Sequence, residues 1–169
     1  SATLQLAKYA DDEIFSVGDM NLYYDVAHPL WHKRPDWFAV VGVPRLYEGQ
    51  DLRLSYVVWQ ERVNPFVVVE LLSPGTEKAA LGQTSRDDDG TPTKWEVYEQ
   101  ILRIPYYIVF DRYTNQLRAF HLVGGHYQSM EIADQRVKIS EWDVSIGVWQ
   151  GTHRGLQRPW LRWFDAANK

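Results

Sequence analysis

An α/β fold, with a mixed β-sheet, one crossover helix and added antiparallel hairpins, is the architecture that this sequence predicts. Apolar runs rich in valine, tyrosine and tryptophan alternate with proline and glycine, which is typical of strands and turns. One segment, 93–103, instead shows the apolar spacing and capping signals of a helix. Because the 169 residues show no boundary in composition, we expect a single domain, 1–169.

The first part of the chain predicts a series of strands. Residues 13–26 alternate roughly and are rich in aromatic side chains, so they indicate a strand, and 27–35 follows as a loop broken by prolines. A strand is predicted over 36–43, and 52–60 is interpreted as another strand or an irregular arm. The almost continuous apolar run at 66–72 is typical of a central strand covered on both faces.

A long loop and a helix follow the central strand. Residues 75–93 show little apolar periodicity, and a loop of this length is usually functional or mobile. Its three acids, 87–89, are interpreted as a solvated run rather than a cation site. The helix at 93–103 begins either with Thr93 in a capping box with Glu96, or with Pro92 in its first turn.

The last part of the chain predicts further β structure. The run at 106–111 should pair in parallel with 66–72, because the helix between them makes a right-handed βαβ unit. The remaining segments are expected to be hairpin strands at 116–122 and 127–132 around the glycines 124–125, a β-like stretch at 137–149, and a short docked helix at 156–164.

Composition excludes several classes of protein. The net charge of −4 lacks the basic surplus of a general nucleic-acid binder, although a local basic patch can still steer DNA. The absence of cysteine excludes disulfides and zinc–thiolate sites. No apolar stretch of about 18 residues and no secretory signal are found, so no membrane segment is expected and a cytoplasmic location is the default. The candidates for phosphate contacts, or for a merely solvated surface, are Lys33, Arg34, Arg154, Arg158 and Arg162.

Two carboxylates stand in or beside apolar strands. Asp36 opens the run 36–43, and Glu70 lies between three valines and two leucines. An ionised carboxylate in such a place is costly unless it is paired, protonated or bound to a cation. Asp36 could instead cap a turn at the strand edge, and Glu70 could point outward from an edge strand.

A lysine and a tyrosine of the predicted helix can meet these acids. Lys94 opens the helix, and Tyr98 lies one turn later on the same face. If the helix crosses over the sheet, both side chains can point toward the strand that carries Glu70. The alternative for Lys94 is a solvated surface lysine.

This combination of residue types suits metal-dependent phosphodiester cleavage. Mg²⁺ or Mn²⁺ prefers oxygen ligands, which Asp36, Glu70 and the backbone carbonyl of Leu71 would supply. Lys94 would orient or activate the attacking water, and the cation would offset the charge that develops on the phosphate.

Four segments, taken in order, carry a resemblance to a known family. They are 34–44, 65–76, 94–98 and 104–111. This ordered set resembles the Uma2-type endonucleases, a family also described as a domain of unknown function that is frequent in cyanobacteria, within the PD-(D/E)XK superfamily. The resemblance runs from about residue 19 to about residue 127. It implies a restriction-endonuclease-like fold and a metal-dependent DNA endonuclease, which is a hydrolase.

The resemblance also assigns roles by position. Asp36 matches the proline-linked aspartate and Glu70 the second acid. Two residues after that acid, where the superfamily has lysine, this sequence has Leu72. The family's lysine is displaced to the following helix, which implies Lys94.

Many related proteins carry a further acid on an N-terminal helix. Little precedes residue 13 here, so we expect that helix to be short or missing. Asp19 and Asp25 are then either substitutes for this acid or surface residues. The resemblance implies DNA as the partner, and a homodimer is expected because nucleases that act on duplexes often pair across a two-fold axis.

Two alternatives remain open at this point. A catalytically silent binding or assembly module could keep the fold and present the aromatic hairpins at 116–132 to a partner. A carbohydrate-binding protein would account for the tryptophans, but the helix at 93–103 and the missing signal peptide count against it.

Overall fold

Three β-sheets organise the chain in the computed structural model, which describes residues 9–10, 13–167 and 169. The largest sheet contains, in spatial order, β1 (Ile14–Gly18), β4 (Trp37–Val41), β6 (Val67–Leu72), β7 (Tyr106–Asp111), β8 (Gln116–Val123) and β9 (His126–Ser129). Strands β6 and β7 are parallel, whereas the other neighbours are antiparallel. The predicted mixed sheet is therefore confirmed.

Two smaller sheets and several short helical segments complete the fold. One small sheet is antiparallel and contains β10 (Arg136–Ile139), β11 (Val144–His153) and β12 (Leu156–Phe164). The other has the order β3 (His32–Lys33), β2 (Leu22–Tyr23) and β5 (Tyr56–Val57). The helical segments are α1 (Val58–Glu61), α2 (Glu77–Ala80), α3 (Lys94–Glu96), a π-helical turn at Val97–Ile101 and a 3₁₀ turn at Ser140–Trp142.

Apolar clusters cover both faces of the six-stranded sheet. Val68 of β6 belongs to the cluster that contains Tyr98 of the π-helical turn, so the helical segment covers this face. Val69, which points the other way, belongs to the cluster that contains Ile139 of β10, so the β10–β12 sheet covers the opposite face. The apolar run at 66–72 is thus a central strand covered on both sides, as its sequence predicts.

The crossover helix begins where the capping signal predicts. The Thr93 side chain accepts a hydrogen bond from the Glu96 amide at 3.2 Å, so Thr93 is the N-cap and the alternative start at Pro92 is wrong. The helical segment ends at Ile101, two residues earlier than the predicted range, after a π-helical turn. That turn is closed by the Leu102 amide, which donates to the Val97 carbonyl at 2.8 Å.

The predicted hairpin at the glycine pair is also present. Gly124 and Gly125 have φ angles of 59° and 84° and connect β8 to β9, which is the two-residue turn that favours glycine.

Three predicted elements before the crossover helix differ from the structure. The strand predicted over 13–26 is divided into β1 and β2, because Asp19 takes a left-handed conformation with φ of 51°. The segment 52–60 forms the short strand β5 and then α1, and the loop at 75–93 contains α2. These short elements lack an apolar period long enough to be seen in the sequence.

The short helix predicted for 156–164 is wrong, because this segment is strand β12. It pairs along its whole length with β11, with Trp160 opposite Trp149. Leu161 and Trp163 pack toward the six-stranded sheet, whereas Arg162 between them is exposed. This period of two is that of a strand, and the pairing partner outweighs the cluster of tryptophans that suggested a docked helix.

The expected short or missing N-terminal helix concerns residues before 13, which lie almost entirely outside the described residues. Within the described part of the chain, no helix has the length and apolar character needed to cross a membrane.

Candidate active site

Strand pairing brings Asp36 and Glu70 to the same edge of the six-stranded sheet. β4 and β6 are antiparallel with Trp37 opposite Val69, so Asp36, one residue earlier, comes level with Glu70. The alternation of side chains places both carboxylates on the helix-covered face of the sheet, together with Phe38. The two acids, which are separated by 33 residues in the chain, therefore become neighbours.

The Glu70 carboxylate is buried and bound by two donors. The residue is only 2% exposed. Lys94 Nζ donates to Glu70 Oε2 at 2.6 Å, and the Tyr98 hydroxyl donates to Oε1 at 2.9 Å. Glu70 is therefore not an outward-facing residue of an edge strand, and Lys94 is not simply a solvated surface lysine.

Asp36 is held in place by the backbone of the neighbouring strand. Its Oδ2 atom accepts a hydrogen bond from the Leu71 amide at 2.6 Å, and its backbone carbonyl accepts one from the Asp19 amide at 3.1 Å. The first contact orients the carboxylate beside Glu70, and the second holds the backbone that carries it. The role of the Leu71 carbonyl as a metal ligand stays a prediction.

Burial and charge strongly affect the ionisation of this cluster. Burial raises the pKa of Glu70 to about 7, and the Asp36 carboxylate adds to the increase, whereas Lys94 and Tyr98 oppose it. Burial also raises the pKa of Tyr98 well above 10, so its hydroxyl keeps its proton and remains a donor to Glu70. The cluster thus favours a cation that can come close to the two acids.

A cavity of about 660 Å³ opens above these residues. Its base is formed by Asp36, Glu70 and Lys94, and one wall is the segment that follows β6. The loop at 75–93, which the sequence predicts to be functional or mobile, thus lies beside the acids, and either role stays a prediction.

A partly buried ion pair anchors the loop wall. Lys33 is 7% exposed and donates to Asp87 and, at 3.2 Å, to Thr91 Oγ1. Both interpretations of Lys33, as a phosphate contact or a solvated residue, are therefore wrong. The interpretation of 87–89 as a solvated run is wrong for Asp87, while Asp89 accepts a hydrogen bond from the Thr91 amide at 3.0 Å. A run of charged residues in the sequence does not reveal an ion-pair partner that is distant along the chain, as Lys33 is from Asp87.

Two cations of the cavity wall were missed by the sequence interpretation. Lys78 and Arg86 are exposed and line the cavity. The signal that could have found them is their position in the long loop directly after the strand that carries Glu70.

In contrast, Asp19 and Asp25 do not line this cavity. Asp19 has a 77% exposed side chain 3.9 Å from Arg34, and Asp25 binds His28 at 2.9 Å.

The donor set fits a hard divalent cation that keeps several of its waters. Among the described residues, no group of three or more acid, histidine or cysteine side chains is arranged to hold a metal ion. Mg²⁺, however, is commonly bound through one or two carboxylates plus water and substrate oxygens. The carboxylates of Asp36 and Glu70 meet that requirement, since each oxygen can accept more than one interaction.

The fold and the site together define a class of protein. The mixed α+β architecture is that of the restriction-endonuclease-like proteins, and in this chain the central sheet carries two acids at one edge with a lysine on the crossover helix. The chain belongs to the Uma2 family, described as "Putative restriction endonuclease", whose family model matches residues 2–151. This match extends beyond both ends of the segment in which the motifs were found. The search among curated proteins found no match.

Proposed function

We propose that this protein is a metal-dependent DNA endonuclease that hydrolyses phosphodiester bonds. The observation that carries the proposal is the buried Glu70 carboxylate, which lies beside Asp36 at the base of an open cavity and is bound by Lys94. Membership of a family described as restriction endonucleases supports a nuclease in general. The metal dependence and the DNA substrate are inferred from the residues at the site.

The residues that would hold the cation are Asp36, Glu70 and the backbone carbonyl of Leu71. Mg²⁺ or Mn²⁺ bound there would offset negative charge on the phosphate and make a nearby water more acidic. Asp36 is already oriented by the Leu71 amide, so this carboxylate needs little rearrangement.

Lys94 is the residue best placed to act on the substrate. Its side chain is 32% exposed, so the ammonium group is accessible from the cavity while it binds Glu70. It would hold the attacking water or a phosphate oxygen through its remaining N–H donors. Tyr98 is buried and does not line the cavity, so it would act as a positioning residue for Glu70.

The cavity wall supplies the expected contacts with the DNA backbone. Lys78 and Arg86 are exposed cations at the wall, and phosphate contacts of this type position a nucleic acid without specifying its sequence. A homodimer with two-fold symmetry would present one such site to each strand of a duplex. We place this activity in the cytoplasm, where such a DNA nuclease would act.

The direct test is cleavage of plasmid DNA with Mg²⁺ or Mn²⁺. Glu70→Gln should lower the rate by roughly 100-fold or more, because the loss of one preorganised group that stabilises charge in a transition state has an effect of that order. Glu99→Gln is the matched control, since Glu99 is also buried, lies on the helical turn that carries Tyr98, and accepts a hydrogen bond from the Tyr127 amide at 2.8 Å instead of contacting Lys94. Equal rates for the wild type and Glu70→Gln would contradict the proposal.

One observation favours a second candidate, the catalytically silent binding module. Glu70 already has a donor on each oxygen, from Lys94 and Tyr98, so the cluster is satisfied without a cation. Calorimetric titration with Mn²⁺ separates the two candidates. If the protein is a nuclease, it should bind Mn²⁺, and Asp36→Asn and Glu70→Gln should each weaken that binding. A silent module should show no Mn²⁺ binding that depends on these residues.

A further inference from the structure

The hairpin formed by β11 and β12 has an unusual charge for this protein. The sequence from 144 to 164 contains Arg154, Arg158 and Arg162 and no aspartate or glutamate, although the whole chain has a net charge of −4. The nearest acids along the chain, Asp143 and Asp165, lie at the base of the hairpin, opposite its tip. The hairpin is thus a local basic surface on an acidic protein.

Arginine and tryptophan side chains alternate on the outward face of the hairpin. Trp149 and Trp160 are cross-strand partners. The Arg158 guanidinium lies 4.3 Å from the centre of the Trp160 ring, and that of Arg162 lies 5.2 Å from the centre of the Trp149 ring. Neither arginine forms an ion pair with an acid in the described part of the chain. Both arginines are exposed, so an anionic partner can bind to their guanidinium groups.

Glycine makes this arrangement possible. A Cβ atom at Gly151 would lie 2.2 Å from the Trp149 ring, so only glycine lets this indole lie across the strand. Trp160 Nε1 donates to the Gly151 carbonyl at 3.2 Å, which fixes the second indole. We call the outward face with Trp149, Trp160, Arg158 and Arg162 the Arg–Trp ladder.

The base of the hairpin packs on the six-stranded sheet, and its tip is exposed. At the base, Trp142 stacks on Phe66, which precedes the first residue of β6, with ring centres 5.1 Å apart. Further along, Trp163 packs 5.3 Å from Trp37, which directly follows Asp36. The hairpin therefore runs along β6 toward the acids. Residues 152–158 form the tip of the hairpin, beyond these two contacts, and all of them are exposed.

A second cavity joins the hairpin to the active site. It has a volume of about 470 Å³ and is lined by Leu161 and Trp163 of the hairpin and by Asp36 and Leu71 of the site. A molecule that occupies the active site and extends into this second cavity would thus contact the hairpin.

The chemistry of the ladder selects one class of partner. Pro159 removes a backbone donor from the edge strand β12, which disfavours strand addition by a protein partner. Guanidinium groups bind phosphate, aromatic faces stack on bases, and a two-stranded ribbon fits the major groove of DNA. All of β12 lies outside the family match, which ends at residue 151, so the family description does not account for this surface.

We propose that the β11–β12 hairpin is a DNA-binding arm, in which the Arg–Trp ladder contacts the duplex next to the phosphate that is cleaved. The choice of DNA rests on the proposed function. A purely structural ladder would stabilise the hairpin but would leave the affinity for DNA unchanged.

The test is the binding of a labelled duplex of about 20 base pairs, without divalent cation, at several salt concentrations. We expect Arg158→Gln/Arg162→Gln to weaken binding by roughly 10-fold at low salt and to reduce the slope of log K against log salt by about two, because two phosphate contacts are lost. Arg45→Gln is the control, since Arg45 is exposed and follows the opposite end of β4. It should remain within about two-fold of the wild type. Circular dichroism should show that all variants are folded.

The outcomes separate this proposal from the nuclease proposal. Weakened binding by the hairpin variant supports the arm even if the wild type cleaves no DNA. Unchanged affinity and salt slope overturn the arm even if the wild type is an active nuclease. Absence of duplex binding by the wild type also overturns it, as does a hairpin-dependent binding of anionic phospholipid vesicles that exceeds the binding of the duplex.

Discussion

At the scale of single residues, Glu70 shows how the environment decides the behaviour of a carboxylate. It is buried among apolar side chains, and it is tolerated there because Lys94 and Tyr98 each donate to one of its oxygens. The same burial keeps its pKa raised, so the site would gain from a bound cation. The carboxylate whose burial costs stability is thus the same one that we propose as a metal ligand.

This cost predicts a dependence of stability on pH. The pKa of Glu70 is raised from 4.5 to about 7, so the folded state binds its proton more tightly than the unfolded state. The free energy of unfolding should therefore fall as pH rises from about 4.5 to about 7, by about 3 kcal/mol at most. Urea denaturation at pH 5 and pH 8, without divalent cation, should show this loss for the wild type and its absence in Glu70→Gln. An identical loss in the variant would contradict the assignment.

A second residue-scale prediction concerns the hydroxyl of Tyr98. Tyr98→Phe removes the hydrogen bond that lowers the pKa of Glu70, so that pKa should rise further and the pH profile of cleavage should move to higher pH. We expect the rate at neutral pH to fall by roughly 10–100-fold, as is usual when a group that supports a metal ligand is removed. Tyr107→Phe is the control, because Tyr107 is equally buried but donates to the Ala80 carbonyl at 2.8 Å. If both variants shift the profile alike, Tyr98 has no specific role.

At the scale of elements, the short crossover helix sets the position of the lysine. Thr93 caps the first turn, Lys94 is the first helical residue, and the π-helical turn that follows carries Tyr98. The Asn64 side chain donates to the Leu102 carbonyl at 2.8 Å just after this turn, so both ends of the helical segment are bound by side chains. The segment is short, and these end contacts matter because it has few internal hydrogen bonds.

The N-cap gives a prediction for this element. Thr93→Ala should lower the free energy of unfolding by about 1 kcal/mol, because the Glu96 amide loses its acceptor. It should also reduce cleavage by more than the stability loss explains, since Lys94 is adjacent to the cap. Thr93→Ser keeps the hydroxyl and should restore most of both properties. Urea denaturation and plasmid cleavage measure the two effects, and a serine variant no better than alanine would count against the capping explanation.

At the scale of the whole molecule, the six-stranded sheet is stabilised from both sides. The helical segment and the small β2–β3–β5 sheet cover the face that carries the acids, and the β10–β12 sheet covers the other. Because the acids lie at the edge where β4 begins and β6 ends, both covering layers contribute to the surroundings of the site. The hairpin is an extension of the second layer.

This arrangement predicts that the β10–β12 sheet unfolds together with the six-stranded sheet. Ile139 is fully buried between them, so Ile139→Ala should lower the free energy of unfolding by about 2–5 kcal/mol. Tryptophan fluorescence and far-ultraviolet circular dichroism should report one coincident transition. Leu54→Ala, at a site that is 95% exposed, should change stability little. Two separate transitions in the variant would show that the layers are independent.

The central strand that carries Glu70, one hairpin turn and the start of the crossover helix were predictable because their signals are local. The run at 66–72 is apolar at almost every position, the glycine pair at 124–125 specifies a tight turn, and Thr93 is three residues before Glu96. The presence of Glu70 within an apolar run was itself the clue to the site, since such a carboxylate requires a partner. The family resemblance added the order of Asp36, Glu70 and Lys94.

The sequence by itself therefore determined the central strands, the crossover helix and the identity of the residues that meet at the site. Tertiary structure alone decided that Lys33 is a buried partner of Asp87, that 156–164 is a strand, and that the arginines of the hairpin lie over tryptophans. The physical reason is that strand alternation and capping depend on neighbours within a few residues. Ion pairs, strand partners and stacked rings instead depend on groups that only folding brings together.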